Sequence, residues 1–499
     1  MNPIEHHCDV AVIGGGPAGA VAARLLAAWG RDVVVVTRAH DAAHDLAVSL
    51  PPSIDKLLRQ VGMFDAVRAA GFLRSTGNTV WWGGRGRRTE SFADGRRGYQ
   101  VLHSEFDGVL LAAAADAGAR VVADVAVHGV EIGADEVRIS GESADGALQV
   151  TAPLVLDASG RAGVVARRLE LRLDVSTRTV ALIGTWRDER GWDVPDDSHT
   201  LVESFADGWA WSIPVAPGRR YFTCMLDPRV SDTGAGDLGE RYAAVLGRAK
   251  VFTDLVAGAT LEGEPWACDA SGYSASKVSG ERFLLVGDAA SGVDPLSSFG
   301  VTKALGSAWL AALVANTTLS DPRLAKVARS LFEEHERRVY ETFRSSAAKF
   351  FDQGAGDEEH PFWAGRVAVA SAAPAVPGEP DIDALRRDPD VLAAFEALKA
   401  SPSIRLAKPA AVRTIQLPAI GDHGIVMEDH LATESIPEGL RYLRGVDVRR
   451  VAELAPDYDQ VPDLFEAYNR AATPVPLGDF VGALSVLMAK GILRDRPVC

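Results

Sequence analysis

An apolar strand that runs into a glycine-rich turn and an Ala/Leu-rich helix opens the chain. A second strand, Gly-Asp turn and helix occur near residue 288, and a proline-rich break falls around residue 380. These three features predict an α/β (α+β) fold: a Rossmann-type nucleotide-binding domain interleaved with a β-sheet domain, then a mostly helical C-terminal domain. The interleaved pair is expected over residues 1–370, with its sheet part at about 75–100 and 175–275. A linker is expected at 371–390, and a helical or winged-helix-like domain at 391–499.

The opening strand, residues 9–13, leads directly into Gly14-Gly15-Gly16-Pro17-Ala18-Gly19. A helix follows from Ala20 to Trp29, Gly30 ends it, and Val33 to Val36 forms a second buried strand. Strand, GxGxxG, helix and strand is the order that a dinucleotide-binding unit needs. Gly14 permits the tight turn, Gly16 lets backbone N–H groups approach a diphosphate, and Gly19, beside Ala18, permits close helix–strand packing. The helix N-terminus then offers partial positive charge to phosphate. At the end of the second strand, where an acid usually meets the ribose, stand Thr37 and Arg38. A threonine hydroxyl can bond a ribose, less strongly than a carboxylate, and the arginine can stack on adenine or neutralise phosphate. FAD and NAD both satisfy this turn.

Farther on, residues 282–290 read RFLLVGDAA, an apolar strand that opens into Gly-Asp. The run Val293-Asp294-Pro295-Leu296-Ser297-Ser298-Phe299-Gly300 follows, and a long helix extends from Val301 towards Asn316. On these residues the sequence resembles the FAD-dependent monooxygenase and tryptophan-halogenase-like superfamily of the p-hydroxybenzoate hydroxylase fold. The resemblance spans about residues 8 to 370 and implies FAD as a non-covalent cofactor, since no family attachment Cys or His is evident. It places Gly14, Gly16, Ala18 and Gly19 on the diphosphate and Asp288 on the ribityl chain. Pro295, Ser298, Phe299 and Gly300 would lie along the isoalloxazine, where a helix N-terminus stabilises negative charge on the reduced ring. Residues 154–160 (LVLDASG) look like the strand that returns beside the glycine turn. Residues 101–118 look like the family's Phe-Asp segment, with His103 where an Arg is usual. Ser49-Leu50-Pro51-Pro52-Ser53 is similar to its Glu-Ser-x-x-Pro stretch, with Val48 at the Glu place, which adds Ser49 to the cofactor contacts.

Residues 207–214 (DGWAWSIP) match the WxWxIP signature of flavin-dependent halogenases and their relatives. At a period of two, both indoles lie on one strand face, as core aromatics, as walls near the flavin, or as both. Halogenases of this type carry a Lys two residues before the Gly in the segment corresponding to 71–79. That place is Ser75, which can neither form a haloamine nor present a cationic donor; the nearest cation is Arg74. The expectation is therefore monooxygenation of an electron-rich aromatic through a flavin C4a-hydroperoxide, with halogenation second. The rival from another class is a flavoprotein reductase or a flavin-binding scaffold without oxygenase activity. RSTGNTVWWG and DPLSSFG are similar to monooxygenases that hydroxylate tryptophan during formation of protein-derived quinone cofactors. That similarity implies an aromatic substrate, free or carried on a peptide or protein. Ser75, Trp209 and Trp211 are expected at its pocket. No general base is readable; His199 and Glu203 are the candidates, and His199 suits a loop surface equally well. A single GxGxxG leaves no dedicated nicotinamide domain, so electrons would come from transiently bound NAD(P)H or from a partner flavin reductase.

The 499 residues are 47% hydrophobic and 24% charged, which excludes disordered and coiled-coil classes. Lys+Arg 52 against Asp+Glu 67 gives 52 − 67 = −15, a balance that disfavours nucleic acid as a partner. Four cysteines without a CxxC pair suit a reducing compartment, and no metal site is expected, since His6-His7 lacks a third ligand. The first residues carry no basic region and their apolar stretch breaks into glycines, so neither a signal peptide nor a membrane span is expected, and the reading is cytoplasmic. Residues 340–366 look like the family's late helix, with Pro361-Phe362-Trp363 at its aromatic end. Pro374, Pro377, Pro380 and Pro389 mark the linker. Beyond it, short helices and proline turns end in an amphipathic helix at 480–493, suited to docking a protein or peptide, or to serving as a lid or dimer arm.

Overall fold

Val10–Ile13, Val33–Val36 and Leu154–Asp157 are almost wholly apolar, and every residue in them is buried. Such runs suit strands covered on both faces. The computed structural model sets them at the centre of a five-stranded sheet ordered Phe283–Leu285, Leu154–Asp157, Val10–Ile13, Val33–Val36, Arg120–Val122. All neighbours in it are parallel. The structure describes residues 3–39, 42–354, 360–371, 387–401 and 403–495. The chain divides into two compact units, 1–376 and 377–499. Most of the expected linker, 372–386, lies outside the described residues.

The first helix starts at Pro17 rather than Ala20 and runs to Ala28. Proline is favoured at the first helical position, because the N–H it lacks would have no helical partner there. Nine of the twelve residues are buried, since the helix lies against two others, His103–Asp116 and Gly300–Ser320. The latter is longer than the pattern from Val301 to Asn316 suggested.

A second, seven-stranded sheet is ordered Thr260–Asp269, Val180–Arg187, Arg219–Leu226, Gly208–Ala216, Thr200–Phe205, Gly77–Trp81, Arg87–Ser91. Only Thr200–Phe205 and Gly77–Trp81 pair in parallel. The chain enters this sheet twice, with the Leu154–Asp157 strand of the parallel sheet in between. Trp82 and Trp209 meet Phe351 of the Ala325–Gly354 helix, and Phe362 and Trp363 of the Pro361–Ser371 helix, in one aromatic core.

In the second unit, helices Pro389–Ala400, Val448–Leu454, Val461–Ala471 and Leu477–Ala489 surround a core that includes Leu406, Val451, Leu464 and Leu484. The sequence reading of this unit is a helical or winged-helix-like domain, with short helices and proline turns and no strand assigned to particular residues. It does not locate the antiparallel hairpin, Arg413–Ile420 with Ile425–Ala432. Both strands are largely half-exposed or exposed, which blurs their alternation, and Pro418 is tolerated because a two-stranded ribbon is all edge. Among the described residues, no helix is long and apolar enough to cross a membrane.

Candidate functional site

The glycine turn is dictated by sterics. Gly14 has φ +106°, and a Cβ there would stand 2.3 Å from the Ala158 carbonyl oxygen; a Cβ on Gly19 would stand 1.9 Å from that of Gly14. Neither position admits a side chain. Gly16 differs: a Cβ there would meet nothing closer than Asp107 Oδ2 at 3.4 Å. Gly16 also begins the Pro17–Ala28 helix without any side-chain cap. Backbone N–H groups at an uncapped helix start, behind a glycine with open space, fit a diphosphate. Thr37 Oγ1 accepts the Gly15 N–H at 3.1 Å and donates to the Arg38 carbonyl at 3.4 Å. Its hydroxyl thus braces the turn, a role the ribose expectation did not include. Arg38 is exposed.

The Gly-Asp turn nests against that helix. Gly287 has φ +63°, and a Cβ would meet Ala18 at 3.1 Å and Ala304 at 3.4 Å. Its N–H donates to Ser307 Oγ at 2.8 Å. Asp288 is more than a third exposed, and Tyr273 donates to its backbone carbonyl at 2.6 Å. Sequence reasoning passed over Lys303, whose ammonium donates to the Gly287 carbonyl at 3.0 Å, to Asp288 Oδ1 at 3.2 Å and to the Ser291 carbonyl. After it, Asp294 accepts the Leu296 N–H at 3.1 Å, Pro295 opens a short 3-10 turn, and Ser298 takes a left-handed φ of +50°. Ser298, Phe299 and Gly300 are exposed, and no side chain caps the helix that Gly300 begins. The arrangement leaves a second helix N-terminus open beside the turn.

His103 begins its own helix and bonds Asp107 Oδ2 through Nδ1 at 2.9 Å. Burial works to lower the pKa of its imidazole, but the Asp107 hydrogen bond and the carboxylates of Asp107, Asp45 and Asp288 raise it above the ordinary histidine range. Asp107 Oδ1 is buried without a hydrogen-bond partner among the described residues, on the carboxylate whose Oδ2 faces the open side of Gly16. Ser49 Oγ accepts from Thr200 Oγ1 at 2.9 Å, which in turn accepts from Gln100 Nε2 at 3.0 Å.

The two base candidates hold structural posts, Glu203 on the Thr200–Phe205 strand of the seven-stranded sheet and His199 in the bend just before it. Glu203 accepts the N–H groups of Val251 and Phe252, each at 3.0 Å, and so caps the Lys250–Val256 helix. His199 is buried rather than on a loop surface, bonds Thr79 Oγ1 at 3.0 Å and lies 3.5 Å from Asp196 Oδ2. Burial holds its imidazole below the ordinary range, with Asp196 pulling upward and Arg220 downward. Ser75 is 0% exposed and donates to the Gly77 carbonyl at 3.1 Å. Arg74 lies 3.8 Å over the Tyr99 ring and donates to the Arg97 carbonyl at 2.6 Å. Trp209 is fully buried, edge-to-face with Trp211 at 5.5 Å and with Trp82 at 6.3 Å, and its indole N–H has no partner among the described residues. Trp211 is half-buried.

Beside Gly292–Asp294 opens a small cavity of about 50 Å³, walled by Tyr340, Phe343 and Phe351 with Arg344 and Arg366. Arg366 donates to Thr179 Oγ1 at 2.6 Å and to the Arg178 carbonyl at 3.0 Å. Phe343 also meets Phe299 at 5.2 Å, so the cavity borders the exposed segment before the Gly300–Ser320 helix.

Residues 7–314 match the family described as FAD binding domain. The chain is 28% identical over 365 residues to the tryptophan 2-halogenase of Chondromyces crocatus, over 71% of this chain and 69% of that protein. Among solved structures, the flavin-dependent halogenase CmlS aligns with a TM-score of 0.71 at 22% identity, covering 98% of this chain and 96% of that one; that likeness concerns the fold. The peptidyl tryptophan dihydroxylase QhpG, essential for tryptophylquinone cofactor biogenesis, aligns with a TM-score of 0.63 at 25% identity, covering 94% and 96%. The family match takes in both turns and the strands that carry them: this chain belongs to the FAD binding domain family and is a flavin-dependent oxidoreductase.

Proposed function

We propose that the protein hydroxylates an electron-rich aromatic carbon, on an indole or related ring that is free or carried by a peptide or carrier protein. The observation that carries this reading is Ser75. The place expected to hold a halogenase lysine is a fully buried serine whose hydroxyl is given to Gly77. Without an ammonium to capture hypohalous acid, a halogen is neither held nor aimed, whereas oxygen transfer needs no such relay. The apolar cavity beside Gly292–Asp294 supports an aromatic substrate. The name of QhpG, a peptidyl tryptophan dihydroxylase, supports a peptide-borne indole.

Bound FAD supplies the activated oxygen. The Gly14–Gly19 turn would hold its diphosphate, Gly16 and Ala18 offering backbone N–H groups while Gly14, whose own N–H goes to the Val36 carbonyl, and Gly19 shape the turn. Asp288 would take the ribityl chain, and the Pro295–Gly300 segment would lie along the ring. Tyr340, Phe343 and Phe351 exclude water from the reacting carbon. Electrons arrive from transiently bound NAD(P)H or from a partner flavin reductase. The second reading, halogenation, is favoured by the tryptophan 2-halogenase likeness.

The test incubates the reduced holoprotein with O2 and, in turn, indole, tryptophan and a tryptophan-containing peptide, with and without bromide. The expected product gains one oxygen atom and is indifferent to bromide. A brominated product, recognised by its isotope doublet, overturns hydroxylation in favour of halogenation.

A further inference from the structure

Lys303 stands in the first turn of the Gly300–Ser320 helix with its side chain 0% exposed. That position is unfavourable twice over. A cation opposes the positive end of the helix dipole, and an ammonium removed from water must recover its solvation from the protein. A leucine there would fill space without either cost. All three of its acceptors, the Gly287 carbonyl, Asp288 Oδ1 and the Ser291 carbonyl, lie in one five-residue turn. Its three donors therefore converge on the Gly-Asp segment, and two of its acceptors flank Asp288.

A second buried ionisable group lies on a neighbouring helix. Glu336, on the Ala325–Gly354 helix, is 3% exposed and neither carboxylate oxygen has a close hydrogen bond. Burial pushes this carboxyl up to about 7, with Lys303 and then Ser307 pulling it down. Ser307 is the same residue whose Oγ accepts the Gly287 N–H. The Ala325–Gly354 helix thus reaches the Gly-Asp turn through two polar side chains of the helix between them.

We propose that Lys303 is a positioning residue for the flavin, its ammonium clamping the Gly287–Ser291 turn so that the Asp288 carboxylate is held ready for the cofactor. The inference rests on Asp288 as a cofactor residue and is independent of whether oxygen or halogen is transferred. A purely structural Lys303–Glu336 pair is the competing account, and the two accounts separate when both charges are removed together.

The experiment measures FAD affinity by fluorescence titration of the apoprotein, alongside apoprotein melting. Lys303→Met is expected to weaken FAD binding by about tenfold or more, the loss of one charge-assisted hydrogen bond, and to lower the melting temperature by stranding Glu336. Lys303→Met/Glu336→Gln is expected to regain most of the melting temperature but not the affinity. Recovery of both overturns the proposal, as does an unchanged affinity in Lys303→Met. If Lys303→Met does not fold, the double variant, which buries no lone charge, carries the test by itself. Because Lys303 acts through Asp288, Lys303→Met/Asp288→Ala should bind FAD no more weakly than the worse single variant; additive losses overturn that mechanism. An unchanged affinity in Asp288→Ala alone would instead sink the placement of Asp288, a separate failure.

Discussion

The parallel sheet and the seven-stranded sheet treat their polar groups in opposite ways. At the ends of the parallel strands, groups are left open: two helix N-termini lack side-chain caps, Gly16 faces free space, and Asp288 is more than a third exposed. In and beside the seven-stranded sheet, several polar side chains are closed off, though the Trp209 indole N–H is not. Glu203 caps a helix, Ser75 reaches from the strand Leu73–Ser75 of a neighbouring three-stranded sheet to bond Gly77 at its border, and the buried Arg220 donates to Ser212 and to the carbonyls of Asp197, His199 and Ser212. Buried polar groups that are satisfied stabilise one arrangement, whereas groups with unused bonding capacity at strand ends are available to a ligand. On the proposed reading the first sheet would hold the cofactor, and the second would supply shape and a dry wall.

The largest effect that would break this contrast lies in the glycine turn. Gly19→Ala puts a methyl 1.9 Å from the Gly14 oxygen, and backbone cannot yield as a flexible side chain would. We expect a loss of roughly 4 kcal/mol or more, or no folded protein. Gly16→Ala meets only Asp107 Oδ2 at 3.4 Å, so apoprotein stability should shift by less than ~1 kcal/mol while FAD affinity falls. Chemical denaturation beside flavin titration reads both. A Gly16→Ala apoprotein as damaged as Gly19→Ala would mean that the open side of Gly16 is needed for packing and not for phosphate.

A smaller effect tests the closed sheet. Glu203→Ala removes the acceptor of two N–H groups at the start of the Lys250–Val256 helix, and loss of such a cap costs about 1–2 kcal/mol. Melting should register it, and the pH profile of turnover should keep its shape. If turnover loses one limb of that profile, Glu203 is moving a proton and the seven-stranded sheet does more than shape the site.

The same contrast explains what the sequence made legible. The glycine turn, its two valine-rich strands and the Gly-Asp turn are written in local patterns, because steric demands on φ and on close approach act within a few residues. His199 and Glu203 attracted attention as titratable residues near the tryptophans, but their roles depend on Thr79 and on Val251 and Phe252, about 120 and 48 residues away. Lys303 read as an ordinary helix residue because its partners Gly287, Asp288 and Ser291 lie 12 to 16 positions back, and Glu336 sits on a different helix. The hairpin at 413–432 was hidden for another reason: strands largely open to water carry little hydrophobic alternation.

The smallest expected effect comes from His103, which sits on the open sheet's side. Its pKa is raised: burial opposes the charge, and the hydrogen bond and charge of Asp107, with Asp45 and Asp288, overcome that opposition. Because the folded value lies above the unfolded one near 6.5, the protonated ring contributes stability that is complete below about pH 6.5 and fades as pH rises through the folded value. About a third of the side chain is exposed, so solvent screening limits the contribution to a few tenths of a kcal/mol, at most about 1. His103→Gln should therefore melt lower than the parent at about pH 5.5 and match it at about pH 8.5. The same proton places positive charge beside the glycine turn, so FAD affinity of the parent should weaken over that rise in pH and His103→Gln should flatten the trend. A melting difference that grows with pH would reverse the sign and show that the neutral ring is the form the fold prefers, leaving Asp107 without a cationic partner at the open side of Gly16.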